Sequence, residues 1–506
     1  MGLSHILFPD MYRTFYKMYR GDLLPKDLNS QIKSQNRLLN ELVFVLGSVK
    51  YGKENNVVYY DDSIQTLQSL PVRSYEDIYP WIDRSWHGED DVLWLGCTKW
   101  FAKSSGTTNA RSKYIPVTSE SLEQNHFLGA RDMLANYLER NPDSKLGFDS
   151  ILTISGSIQE RNIENGNCAG DVSAVLDANS PWWVQLSKAL PKSIRDIPTW
   201  EERLSKVLEF TKSADIKAFA GVTSWVTTII EQAVKSAGVK SALDIWPNLE
   251  VFFHGGVAIK PYISILRNLI PHDKFKFVEV YNASEGFFAF QDTDDMESGM
   301  LLLTGHGVFY EFRDVTDDTM YSIEKIRRGS RYELIISTVS GLWRYALGDV
   351  VEISNLDPVR ITIVGRTKAV LNTYGEELMV GNVDEAIRIL NQNNKYSILE
   401  YTGTTIYKDI NIKGGHEWII EFDVVPENKE LFVKDFDNTL CQLNSDYDAK
   451  RKGDFILGMP VIHTIEKGVF YEWMKNRDKL GGQNKIPRLC EKREYLESIL
   501  KLVKEI

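Results

Sequence analysis

The chain has 506 residues, 43% of them hydrophobic and 25% charged, a composition typical of a globular protein with a large core. Its net charge of −11 argues against nonspecific nucleic-acid binding through a positive surface, although a local cationic pocket can still take a small anion. The length predicts roughly two to four domains.

The cysteine pattern and the apolar runs indicate the compartment. The four cysteines form no C-x-x-C pair, which disfavours a zinc ribbon or a thioredoxin-like site, and so few of them fit a reducing compartment. No signal peptide is recognisable at the start, and no apolar run reaches the roughly 20 residues of a membrane helix. We expect a cytoplasmic protein without nucleic-acid or membrane partners. Its oligomeric state is left open.

Helices dominate the first half of the predicted elements. Residues 8–46 have a helical pattern, and Thr118 is a suitable cap for a helix that ends near Arg140. An apolar stripe over 226–237 predicts another helix, which Gly238 ends. Because short β-type runs alternate with these helices, the sequence predicts an α/β core with parallel strands, at 151–154, 251–253 and 275–281.

The pattern changes after residue 300. Short strands follow one another closely over 300–365, which predicts an antiparallel sheet or a small β-barrel, with strands at 301–304, 308–312, 332–337, 350–353 and 361–364. After this region the sequence predicts a compact α+β domain, whose helix over 383–390 is opened by Asn382. We therefore divide the chain into a large domain, 1–367, and a small domain, 368–506.

Ser104–Thr108 is a run of small residues, four of them with hydroxyls. Such a run can fold into a turn whose backbone N–H groups converge on an anion, with the hydroxyls as further donors. Arg111 and Lys113 add positive charge nearby. The segment is therefore a candidate phosphate cradle, although an ordinary Ser/Thr-rich loop has the same composition.

Two acidic motifs follow predicted strands. Tyr281–Gly286 contains Tyr281, which can stack on a purine, and Glu285, a hard oxygen ligand suited to Mg²⁺. Tyr345–Asp349 ends in a carboxylate that can accept both hydroxyls of a ribose. The alternatives are a β-turn with a surface Glu and a turn Asp of a hairpin.

The last motif lies near the C-terminus, in Gly481–Arg488. Its glycines favour a flexible loop, and Lys485 is a point charge on a flexible stem that suits a phosphate. Taken alone, such a lysine is usually solvated. By contrast, Gly47–Lys53 has the spacing of a P-loop, but Glu54 replaces the required hydroxyl, so we interpret it as a helix end and a turn.

The ordered set of motifs resembles the acyl-adenylate-forming superfamily, which includes luciferases and acyl-CoA synthetases. Three segments narrow the resemblance to the Gretchen Hagen family, namely 253–256, 281–286 and 483–488. Plant members of that family conjugate amino acids to hormone acids such as auxin and jasmonate. Two positions depart from the superfamily pattern: Asn109 stands in place of a glycine, and Ala346 in place of an arginine.

The resemblance implies a reaction and a role for each motif. The protein would use ATP and Mg²⁺ to adenylate a carboxylic acid and would then pass the acyl group to an amine, with Lys485 and Glu285 as catalytic residues. Glu285 would hold Mg²⁺, and Lys368 would be the hinge of the small domain. The implied ATP-binding residues are Ser104, Ser105, Gly106, Thr107, Thr108, Gly255, Gly256, Tyr281, Asn282, Ala283, Ser284, Asp349 and Arg366.

Two other functions stay open at this point. A ligase that forms a thioester with coenzyme A would share all the ATP-binding residues. A nonenzymatic nucleotide-binding protein is disfavoured, because binding alone does not require both Glu285 and Lys485. The sequence identifies neither the acid nor the acceptor. His254, before the two glycines, is interpreted as structural and not as a general base.

Overall fold

The computed structural model describes most of the chain: residues 24–104, 113–197, 200–256, 259–366, 370–371, 378–392, 395–406, 414–444, 447–448, 457–477, 485–490 and 493–505, with Thr14, Arg451 and Lys479. Within these ranges, no helix combines the length and the apolar character needed to cross a membrane.

The large domain contains many helices, and side-chain capping sets where the first of them begins. Asp27 accepts a hydrogen bond from the backbone of Ser30, which starts the first of them. The apparent P-loop is indeed a helix end followed by a short helix. The helices are Leu28–Leu46, Lys50–Glu54, Ser63–Gln68, Tyr75–Trp86, Ser119–Ser121, Phe127–Arg140, Val172–Ala178, Trp182–Ser187, Lys192–Arg195, Trp200–Thr211, Thr223–Ala237 and Ile263–Leu269.

The helix predicted from Thr118 to Arg140 is confirmed, with one addition. The Thr118 hydroxyl accepts from the backbone N–H of Ser121 at 3.1 Å, as a helix cap does. Between the first turn and the main helix lies a π-helical segment, Leu122–His126. π-Helical segments are rare in proteins, but those that occur often lie at functional sites.

One sheet of eleven strands forms the centre of the large domain. Its strands, in spatial order, are Met320–Tyr321, Val308–Asp314, Arg331–Thr338, Tyr345–Leu356, Val359–Arg366, Met300–Leu302, Gly286–Phe290, Lys276–Ala283, Val251–Gly255, Ala218–Val222 and Ile151–Thr153. The last four are mutually parallel, as the alternation of helices and strands predicts.

Helices cover both faces of the parallel part. Phe253 packs in a buried cluster with Leu138 of one helix, whereas its neighbour Phe252 packs with Ile230 of another. Because successive strand residues point to opposite faces, a continuous apolar strand such as Val251–Gly255 needs cover on both sides. This arrangement leaves only the strand ends open to a ligand.

The strands over 300–365 pair antiparallel, as predicted. They continue the parallel sheet, because Leu301 pairs with Phe290 and Met300 pairs with Ile361. One boundary differs from the prediction: the strand expected to start at 350 begins at Tyr345 and runs to Leu356. Asp349 therefore lies within a strand and not in a turn.

A second sheet of four strands flanks the first and carries the hydroxyl-rich motif at its edge. Its strands are Lys113–Val117, Trp100–Ser104, Cys168–Gly170 and Ile158–Arg161, in spatial order. Ser104 pairs with Lys113 across two antiparallel strands. These two residues flank segment 105–112, which lies outside the described residues.

The small domain has its own sheet and helices, as the α+β prediction requires. The sheet consists of Val461–Glu466, Gly415–Phe422, Ile398–Ile406 and Leu489–Cys490, and the helices are Val380–Asn391, Lys429–Leu443, Val469–Lys475 and Glu494–Glu505. A two-stranded ribbon, Val370–Leu371 with Leu378–Met379, precedes it. Asn382 was predicted to open the first helix, but it is the third helical residue and accepts from the backbone N–H of Met379. The domain boundary itself stays a prediction.

Glu421 makes the stability of the small domain depend on pH. It is 7% exposed, and burial raises its pKa from an ordinary value of 4.5 to about 7. The folded chain therefore holds a proton that the unfolded chain has lost, so stability falls as pH rises from about 4.5 through about 7. We expect Glu421→Gln to flatten the dependence of the calorimetric midpoint on pH in that window. An equally steep dependence in the variant would contradict this origin.

Candidate active site

The site begins where the strand Val251–Gly255 ends. Gly256 follows with φ of +75°, a conformation that side chains with a Cβ rarely adopt. A Cβ on Gly256 would lie 3.1 Å from Nζ of Lys485 and 3.2 Å from its Cε. The lysine of the small domain therefore reaches the glycine turn of the large domain, and glycine leaves the space that this approach needs.

Hydrogen bonds to the small-domain sheet fix the segment that carries Lys485. The Thr402 hydroxyl donates to the carbonyl of Pro487 at 2.5 Å, and the backbone N–H of Gly403 donates to the carbonyl of Arg488 at 2.8 Å. The strand Leu489–Cys490 then pairs in parallel with Ile398–Ile406. Lys485 thus stands just before an anchored strand.

The second motif forms a hairpin beside this glycine turn. The strand Lys276–Ala283 pairs in parallel with the strand that ends in Gly255, and it turns back at Ser284 and Glu285. Ser284 is 6% exposed, whereas Glu285 is partly exposed. A turn here was the alternative interpretation of the motif, and this turn places the Glu285 carboxylate at the edge of the sheet where the strand Val251–Gly255 ends.

Tyr281 links this hairpin to the third motif. Its hydroxyl donates to Oδ2 of Asp349 at 2.5 Å, and both residues are buried. The ring contacts Phe288 edge-on at 4.9 Å between centroids and is 5% exposed, so little of it is open for the predicted purine stacking. In the adjacent strand, Arg366 pairs with Asp349 in the backbone register.

The charges of these motifs interact through space. Burial, and then the charge of Glu285 ahead of that of Asp349, raises the pKa of Tyr345 well above its usual value. No group of three potential metal-ligating residues occurs among the described residues. Mg²⁺ in phosphate sites is commonly held by one or two carboxylates together with the phosphate oxygens, so the Glu285 carboxylate fits this use without a larger cluster.

Two functional candidates were missed by the sequence predictions, and both come from the π-helical segment. Asn125 accepts from the backbone N–H of Phe287 at 2.7 Å and donates to the carbonyls of Phe287 and His306 at 3.0 and 2.7 Å. His126 contacts Oδ1 of Asn282 at 3.2 Å, and burial lowers its pKa to about 4. Asn125 and His126 therefore connect the π-helical segment to the hairpin.

His254 lies on the strand before the glycines and is 1% exposed. Its ring lies between those of Phe252 and Phe277, and neither of its nitrogens has a hydrogen-bond partner among the described residues. Burial lowers its pKa to about 3, so the ring is neutral at physiological pH. These features agree with the structural interpretation.

Part of the predicted site lies outside the described residues, namely Ser105, Gly106, Thr107, Thr108 and Lys368. Ser104 and Arg366 are placed by their backbone alone. One electrostatic observation relates the strand Trp100–Ser104 to the C-terminal part of the chain, here called the tail. Burial, and then the positive charges of Arg477 and Lys103, lowers the pKa of Lys479. Lys103 immediately precedes Ser104, so the tail approaches the start of the hydroxyl-rich motif.

The fold is that of the adenylate-forming enzymes. A solved structure of the GH3.15 acyl acid amido synthetase matches with a TM-score of 0.77 at 17% identity, and 93% of each chain is covered. A structure of 2-hydroxyisobutyryl-CoA ligase, in the postadenylation state with R3-HIB-AMP, matches with a TM-score of 0.61 at 10% identity, covering 96% of this chain and 94% of the other.

Within that class, the chain belongs to the GH3 (Gretchen Hagen) family. The models of the family's N-terminal, central and C-terminal domains match residues 24–275, 301–366 and 381–494. One relative is the 4-substituted benzoates-glutamate ligase GH3.12 of Arabidopsis thaliana, 20% identical over 96% of this chain and 97% of its own length. Another is the indole-3-acetic acid-amido synthetase GH3.8 of Oryza sativa subsp. indica, 21% identical over 90% of this chain and 87% of its own length.

Proposed function

We propose that this protein uses ATP to adenylate a carboxylic acid and then transfers the acyl group to the amine of an amino acid. The observation that carries the proposal is the approach of Lys485 to Gly256, beside the hairpin that bears Glu285. A cation brought from a separate domain to the edge of a sheet suits a reaction at a phosphate. The relatives named above, which are amido synthetases and a glutamate ligase, support the same reaction.

The proposed chemistry has two steps. A carboxylate oxygen of the acid attacks the α-phosphorus of ATP, the bond to pyrophosphate breaks, and an acyl-adenylate forms. The amine nitrogen then attacks the acyl carbon, AMP leaves, and the nitrogen loses a proton as the amide forms. Neither step needs a covalent enzyme nucleophile, because the mixed anhydride already has a good leaving group.

The residues of this chain would act mainly by stabilising charge and excluding water. We assign Lys485 to the carboxylate and the α-phosphate, and Asp349 with Arg366 to the ribose. Ser104–Thr108 would bind the phosphates through backbone N–H groups and hydroxyls. The small domain would shield the anhydride from water, with Lys368 as the hinge.

Three further assignments belong to the proposal. Tyr281–Ser284 and Gly255–Gly256 would line the adenine and the α-phosphate. Glu285 would hold Mg²⁺, which when bound supplies positive charge to the phosphates. We also assign residues 1–367 to the large domain and 368–506 to the small domain. The sequence further leads us to place the protein in the cytoplasm.

The fold does not decide the acceptor, since an amido synthetase and a CoA ligase both match it. The test is pyrophosphate release with ATP across a panel of acids that includes indole-3-acetic acid and 4-hydroxybenzoate. The product mass is then measured with pooled amino acids or with coenzyme A. An amide supports the proposal, and a thioester replaces it with the ligase alternative. Release with none of the acids of a broad panel would favour a nonenzymatic nucleotide-binding protein.

Asp349→Ala is expected to weaken ATP binding about 10- to 100-fold, because charge-assisted hydrogen bonds to the ribose would be lost. Isothermal titration calorimetry with ATP and Mg²⁺ measures this change directly. Asp317→Ala removes an exposed turn carboxylate and serves as the matched control. Equal affinities in the wild type and Asp349→Ala would contradict the ribose assignment.

A further inference from the structure

A buried charge cluster lies a few residues beyond Lys485. Arg488 donates to Oδ1 of Asp384 at 3.1 Å and forms an ion pair with Oε1 of Glu400 at 3.0 Å. The side chains of all three are at most 14% exposed. The Arg488 guanidinium also lies 4.4 Å from the ring centroid of Tyr401. The Tyr401 hydroxyl in turn donates to Asp384 at 2.8 Å.

The large domain contributes one residue to this cluster. Tyr262 ends the 3₁₀ turn Lys260–Tyr262, which packs against the helix Val380–Asn391 of the small domain. The Tyr262 hydroxyl donates to Oε2 of Glu400 at 3.5 Å, the long limit of a hydrogen bond, and its side chain is 6% exposed. The cluster therefore joins the two domains.

The cluster lies close in sequence to the two residues that meet at the candidate site. Tyr262 follows Gly256 by six positions, and Arg488 follows Lys485 by three positions. The backbone carbonyl of Arg488 is itself held by Gly403. A contact between Tyr262 and the Arg488 cluster thus fixes, from both sides, the place where Lys485 meets Gly256.

The charges explain why the tyrosine is suited to this place. Two carboxylates share one guanidinium, and burial raises the pKa of both Asp384 and Glu400. The Tyr262 hydroxyl donates to Oε2 of Glu400, whereas Arg488 and the backbone N–H of Tyr401 contact Oε1. Because a buried carboxylate oxygen without a donor is costly, this phenol from the large domain stabilises the cluster.

We propose that Tyr262 and Arg488 are positioning residues, which hold the small domain so that Lys485 lies against Gly256 for the adenylation step. This inference rests on the proposed function, because it assumes that Lys485 acts in adenylation. Tyr262 is assigned no contact with the reacting atoms. It acts by fixing the orientation of the segment that carries the lysine.

The first test is kinetic and uses the full chain. Tyr262→Phe removes only the hydroxyl, and Tyr396→Phe is the matched control, since the Tyr396 hydroxyl bonds Asp435 within the small domain at 2.5 Å. We expect kcat of acid-dependent ATP–pyrophosphate exchange to fall about tenfold in Tyr262→Phe. KM for ATP and the aminolysis of preformed acyl-adenylate should stay unchanged, as they should in the control. An unchanged kcat would overturn the proposal.

A double-mutant cycle tests whether Tyr262 acts through Lys485. In a Lys485→Ala background, Tyr262→Phe should cause no further fall in exchange, because the group that it positions is absent. A second fall of the same size would show an independent structural effect and would also overturn the proposal.

The second test needs no substrate. Hydrogen–deuterium exchange of the peptide covering 485–490 should become several-fold faster in Tyr262→Phe and stay unchanged in Tyr396→Phe. Unchanged exchange would refute the positioning role even if no acid were activated. Conversely, faster exchange in a protein that activates no acid would leave the domain contact standing and refute the proposed function alone.

Discussion

Lys485→Ala is expected to slow adenylation by a factor of several hundred. This factor corresponds to a loss of about 3–4 kcal/mol of transition-state stabilisation. In the proposed role, the Lys485 charge meets the α-phosphate most closely as the bond to the acid forms, so its loss should affect the transition state more than bound ATP. Acid-dependent ATP–pyrophosphate exchange measures the rate, and calorimetry shows whether ATP affinity stays within about threefold.

A second lysine of the small domain provides the control. Lys467 also contacts the large domain, through an ion pair with Glu231 at 3.3 Å, but its side chain is 47% exposed and it lies in a different segment. Lys467→Ala should therefore leave the exchange rate nearly unchanged. If Lys485→Ala exchanged as fast as the wild type, the assignment of Lys485 to adenylation would be wrong.

Glu311→Ala is expected to destabilise the large domain by about 3–5 kcal/mol, because it leaves the buried guanidinium of Arg344 without its counter-charge. The pair is bidentate, with N–O distances of 2.8 and 2.9 Å, and the Glu311 side chain is 2% exposed. Arg344 also adopts φ of +44°, a strained conformation that surrounding contacts must hold. Urea unfolding followed by fluorescence measures the loss.

The matched control is an exposed ion pair in the same sheet. Arg331 and Glu352 lie 3.1 Å apart with side chains 46% and 36% exposed, so Glu352→Ala should cost about 0–1 kcal/mol. Arg344 precedes the strand that carries Asp349, and disorder there should also reduce ATP binding. A loss below about 1 kcal/mol for Glu311→Ala would contradict the expected penalty for a buried unpaired charge.

Periodicity and capping predicted the elements of this fold well, because those signals are local. The helix after Thr118, the parallel strands and the antiparallel region all occur close to their predicted places. The strand around Asp349 is the instructive exception. Gly348 followed by Asp349 interrupts the apolar alternation, so the sequence favours a turn there. In the structure, Gly348 has φ of +81° and the long strand continues past it through a shift in register with the strand Arg331–Thr338.

The contacts that assemble the site were beyond sequence reasoning. Tyr281 reaches Asp349 across 68 positions, and Asn125 reaches Phe287 across 162. Nothing in a local pattern distinguishes a tyrosine that bonds a distant carboxylate from one that stacks on a base. The motifs could be recognised as a set, but their mutual distances depend on the topology of the sheet. The cluster around Arg488 has the same origin, since Arg488 reaches Asp384 across 104 positions and Tyr262 reaches Glu400 across 138.

The single eleven-stranded sheet has a consequence for how this architecture can change its chemistry. Gly255, Tyr281 and Asp349 all belong to it, so the contacts proposed for the adenine and the ribose come from one sheet of the large domain. The lysine assigned to adenylation and the contacts that hold its segment belong to the small domain. Changes confined to the small domain and to its contacts with the large domain should therefore be able to alter the acyl acceptor while the sheet stays the same.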